Sequence, residues 1–68
     1  MANTRGNLVK NLNEKQKKAW NTVKNSYGVG DSDLLDFYAS IDFTEFITRC
    51  CGDTLTIRVY TNGMITER

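Results

Sequence analysis

Sixty-eight residues, 40% hydrophobic and 25% charged, make one small globular domain rather than a disordered chain, because there is enough apolar surface to offset ordering entropy. The apolar runs are too short for a membrane span, Met1-Ala-Asn-Thr-Arg5 opens no signal peptide, and two adjacent cysteines cannot make the framework of a secreted mini-protein, so the expected location is cytoplasmic. The formal net charge of +1 hides a division: residues 1–24 hold six cations against one carboxylate, and residues 25–53 hold six carboxylates against one cation.

Residues 1–11 show no periodicity and are rich in Asn, Thr and Gly. They are expected to form a mobile N-terminal arm that Leu8 and Val9 could dock, with residues 12–68 as a single compact α+β domain. Asn13 and Gln16 have the spacing of a helix start, and Gln16, Ala19, Trp20, Val23 and Tyr27 then share one helical face. Lys15, Lys17, Lys18 and Lys24 surround that face, and Gly28 and Gly30 end the helix.

Asp31-Ser-Asp33 places carboxylates where a helix dipole favours them, which predicts a second helix carrying Leu34, Leu35, Phe37, Tyr38 and Ile41. A third helix follows by the same logic. Asp42 and Glu45 are spaced as a capping box, Gly52 sits where a left-handed stop belongs, and Phe43, Phe46, Ile47, Cys50 and Cys51 form an apolar stripe at helical spacing. From Thr54 the period is two, with Leu55, Ile57 and Val59 on one face and Thr56, Arg58 and Tyr60 on the other. Thr61-Asn-Gly63 then turns a hairpin, either pairing Val59 with Ile65 or pairing Tyr60 with Ile65.

The expected architecture is therefore α+β: three short helices followed by a C-terminal β-hairpin, the outline of a winged helix. The alternative treats Phe46–Cys51 as a strand and gives two helices with a three-stranded antiparallel meander.

Chemistry is sparse. The chain has no histidine, no phosphate-cradling glycine loop and no nucleophile elbow, so no catalytic residue, cofactor or metal site is assigned. Asp31, Asp33 and Asp36 read as helix-start acids rather than calcium ligands, and Cys50 and Cys51 as reduced, protected core residues. Trp20 reads as core rather than a base-stacking platform.

The function expected from this is a non-enzymatic protein-binding module, an inhibitor or adaptor of a macromolecular complex of the sort phage and mobile elements encode. The candidate contacts are Lys15, Lys17, Lys18, Lys24, Asp33, Asp36, Arg58 and Tyr60. Another protein is the expected partner, with no membrane involved, and a homodimer is one way to add buried area. The alternative is a winged-helix-like DNA-binding regulator. Its reading face would carry Glu45, with Asp42 and Asp53 beside it, and these repel phosphate.

Overall fold

The computed structural model describes residues 5–68. Of the arm expected over residues 1–11, residues 1–4 lie outside the described residues. Arg5–Asn11 form a 3-10 helix, and Leu8 and Val9 pack against a core that includes the buried Leu12. Helix α1 spans Glu14–Tyr27. Its first turn is closed by the full Asn13/Gln16 capping box, in which Gln16 N–H donates to the Asn13 side chain and Asn13 N–H to the Gln16 side chain, each at 2.9 Å. Gly28 ends it in a left-handed conformation.

The rest of the chain is sheet. Strands β1 (Leu34–Ala39), β2 (Phe43–Cys50), β3 (Asp53–Tyr60) and β4 (Ile65–Glu67) form one antiparallel meander in the order β1-β2-β3-β4. Both architectures expected from the sequence are thereby corrected. There are not three helices before a hairpin, nor two helices with three strands, but one α-helix and four strands among the described residues.

The expected second helix is a single 3-10 turn, Asp31–Asp33, leading into β1. Asp33 does cap a free amide there, accepting from Gly30 N–H at 2.9 Å, but the helix stops after one turn. The expected third helix is β2. Five of its eight residues (Phe43, Thr44, Phe46, Ile47 and Thr48) are aromatic or β-branched, types that fit a pleated surface. Pairing decides the outcome, because a two-stranded hairpin is marginal alone, whereas β2 gives β3 a continuous ladder from Phe43↔Tyr60 to Cys50↔Asp53. The two cap signals serve other ends. Glu45 pairs with Arg58, and Gly52 belongs to the β2–β3 turn.

Alternation, shifted once by a bulge between Leu34 and Asp36, sorts the side chains. Leu34 and Phe37 from β1, Phe46 and Thr48 from β2, and Leu55, Ile57 and Val59 from β3 face α1, where they meet Trp20 and Val23. Trp20 and Phe46 are both fully buried, with ring centroids 5.3 Å apart. Buried Thr48 is satisfied by donating to the Asp33 carbonyl at 3.0 Å. The β3–β4 hairpin takes the first of the two registers, Val59 opposite Ile65, with Gly63 left-handed at φ 92° in a three-residue loop.

Candidate functional site

Only one face of the sheet is covered by the helical segments. By the register, the other face carries Asp36 and Tyr38 from β1, Phe43, Glu45, Ile47 and Arg49 from β2, and Thr54, Thr56, Arg58 and Tyr60 from β3. Near its middle the side chains are already ordered against one another. Arg58 Nε–H donates to Glu45 Oε1 at 2.8 Å, and the guanidinium carbon lies 4.3 Å from the centre of the Phe43 ring. The Phe43 and Tyr60 rings follow at 5.4 Å. Arg68 Nη1 approaches the same Glu45 oxygen at 3.8 Å. The Glu45 hydrogen bond pushes Arg58 further above its ordinary value, with a smaller effect from Tyr60, so the guanidinium stays charged. The result is a platform on which an arginine and two mutually tilted aromatic rings pack against one another.

Around the end of the sheet, the Ile41–Asp42 and Thr61–Gly63 turns lie beside the first half of α1. Between them opens a cleft of about 610 Å³ whose lining includes Lys15, Lys18, Ala19, Ile41, Val59 and Tyr60. Ile41 stands 91% exposed at its rim. Tyr60 therefore belongs to both the platform and the cleft.

The eight residues singled out from the sequence are thus dispersed. Lys15, Lys18 and Tyr60 meet at the cleft, and Arg58 joins Tyr60 on the platform. Lys17 is exposed on α1, and Lys24 is bound to Asp31 at 2.8 Å. Asp33 is occupied at the 3-10 turn, and Asp36 sits on the platform's β1 side, accepting from Phe37 N–H at 2.8 Å. Phe43, Tyr38 and Ile41 were missed because the helical reading placed them in a core. A period-two reading of Phe43–Cys50 puts Phe43 on the face opposite Phe46, whereas Tyr38 reaches the exposed face only through the bulge between Leu34 and Asp36, which period two alone does not reveal. The helix meant to read a DNA groove is β2, which removes the geometric basis of the winged-helix reading.

At the opposite end of the sheet, the β2–β3 turn places Cys50 and Cys51 beside a second cleft of about 400 Å³. Both cysteines are free, and the expectation of two protected thiols is corrected at Cys51, which is exposed. Among the described residues, no three His, Cys, Asp or Glu side chains converge as a metal cluster, and no helix is long and apolar enough to cross a membrane. No family model, curated protein or solved structure matches the chain.

Proposed function

We propose that this chain is a small non-enzymatic protein-binding module that docks through the uncovered face of its sheet and acts by occluding or bridging a macromolecular complex in the cytoplasm. The observation that carries the reading is the Arg58–Phe43–Tyr60 cluster on that face. Arginine and large aromatic side chains supply most of the energy at protein interfaces, and rigid ones lose little entropy on binding. Exposed Tyr38 and half-buried Ile47 extend the platform as apolar contacts.

The charge on this face favours a protein over a nucleic acid. Asp36 and Glu45 stand among Arg49, Arg58 and Arg68, and Arg58 is already neutralised by Glu45. Phosphate binding needs several uncompensated cations in one place. The lysines of α1 lie along the helix that covers the other face, and Lys15 and Lys18 come only to the cleft beside Tyr60 at the end of the sheet.

A photo-reactive benzoylphenylalanine tests this when substituted at Tyr38 on the platform and, separately, at Asn21 on the exposed side of α1. Irradiation in the source cell is expected to give one discrete protein adduct from position 38 and none from position 21. Nucleic-acid adducts, or a protein adduct from position 21 alone, would overturn the reading.

A further inference from the structure

Adjacent residues of an extended strand point to opposite faces, so neighbouring cysteines in a strand hold their sulfurs apart. Here the Cys50 and Cys51 sulfurs are 3.7 Å from each other. The cause is local. Cys51 and Gly52 are the two central residues of the β2–β3 turn and both have positive φ, 56° and 86°, the signature of a type I′ hairpin turn. Cys51 is the one non-glycine residue with positive φ among the described residues. Asn, Asp or Gly fills this position without comparable strain, whereas a left-handed cysteine brings its Cβ against the following carbonyl at a steric cost. That cost is accepted at a place where its consequence is to swing the second thiol beside the first.

We propose that Cys50 and Cys51 form a two-thiolate chelating site for a soft, thiophilic metal ion. Two thiolates on a tetrahedral ion at metal–sulfur distances of about 2.3 Å stand about 3.8 Å apart, close to the spacing the turn already imposes. The site is reachable, since Cys51 is exposed and half-buried Cys50 borders the cleft. Asp33 and Asp53 also line it and favour a cation, against Arg49 as the opposing charge. Thiolate donors select soft ions over magnesium or calcium, and with no third donor in place the remaining positions fall to solvent. Loading exchanges protons for metal: both S–H bonds break, two sulfur–metal bonds form, and two protons leave to solvent for each divalent ion, with no change of oxidation state. This site is independent of the sheet platform and stands or falls without it.

Cadmium(II) is the probe, added to the phosphine-reduced chain while ultraviolet absorption reads sulfur-to-metal charge transfer and Trp20 fluorescence reads urea unfolding. One ion per chain is expected, with a charge-transfer band and a raised unfolding midpoint, because an ion that prefers the folded turn stabilises it by mass action. Cys51→Asn suits the turn and keeps the fold. It is expected to abolish the band and weaken cadmium binding by about 100-fold or more, the consequence of losing one of two tethered donors. Cys50→Ser is expected to do the same. Undiminished affinity in Cys51→Asn, an unchanged or lowered midpoint in the parent chain, or one ion per two chains would each overturn the proposal.

Discussion

The indole Nε1–H of Trp20 donates to Asp31 Oδ1 at 2.9 Å, tying the buried face of α1 to the turn from which the sheet begins. Lys24 Nζ reaches the same oxygen at 2.8 Å. This one carboxylate therefore satisfies a largely buried indole while fixing where β1 starts relative to the helix.

That relationship predicts a particular acid limb. Lys24, and after it Trp20, hold the Asp31 carboxyl below its ordinary value. A carboxylate with a depressed folded pKa contributes stability in full above the unfolded value of about 3.9 and loses it as pH falls through the folded value. Urea midpoints followed by Trp20 fluorescence are thus expected to fall below about pH 4, and Asp31→Asn is expected to lessen the fall while lowering stability at neutral pH. Identical acid limbs in the two proteins would show that the contact makes no net contribution.

Phe46→Ala removes the ring that fills the space between Trp20 and the sheet. For a fully buried phenylalanine the expected loss is about 3–5 kcal/mol, comparable with the whole stability of a domain this size. Far-ultraviolet circular dichroism is expected to show a largely unfolded chain at 25 °C. Retained signal with a cooperative melt close to the parent would mean that the core closes around the gap.

The helix and the last hairpin were legible because each has signals that agree. Asn13, Gln16 and Gly28 bound a stripe through Trp20 and Val23, and Leu55, Ile57 and Val59 alternate cleanly up to a turn with Gly63. β1 was not legible, and β2 only as the alternative strand over Phe46–Cys51, because their residues satisfy two periods at once. Phe43, Phe46, Ile47 and Cys50 make one face of a helix, yet in the sheet Phe46 and Cys50 face α1 while Phe43 and Ile47 face outward. A strand that is apolar on both sides has no clean alternation. What separates the readings is non-local, the ladder between β2 and β3, and no spacing within residues 43–50 reports it. The candidate site followed suit: Arg58 and Tyr60 were placed on the correct face because β3 was read correctly, and Phe43 was lost with β2.

The β2–β3 turn offers a stabilising substitution. Cys51 holds a left-handed conformation that asparagine adopts more readily, and Asn-Gly is the preferred pair for this turn. Cys51→Asn is expected to raise stability by about 1 kcal/mol in metal-free buffer, whereas Cys51→Val, β-branched, is expected to lower it by a similar amount. Urea unfolding of the reduced proteins measures both. Equal stabilities for the three proteins would mean that the turn relaxes to another type when its first residue changes.

The two faces of the molecule make opposite predictions for binding. Tyr38 is 61% exposed on the uncovered face of the sheet, and Lys17 is exposed on α1. Neither is buried, so Tyr38→Ala and Lys17→Glu are each expected to change stability by no more than about 0.5 kcal/mol. Their effects on the partner should differ. Truncating an aromatic contact at an interface centre costs about 2 kcal/mol or more, so Tyr38→Ala is expected to weaken binding at least about tenfold, while Lys17→Glu leaves it unchanged. Arg58→Lys keeps the charge but loses the planar guanidinium that lies against Phe43 and donates to Glu45, and it is expected to weaken the complex as well. Calorimetric titration against the protein captured from position 38 gives all three affinities. Loss of binding with Lys17→Glu, together with parent affinity for Tyr38→Ala and Arg58→Lys, would place the partner on the helix and remove the sheet platform from the function.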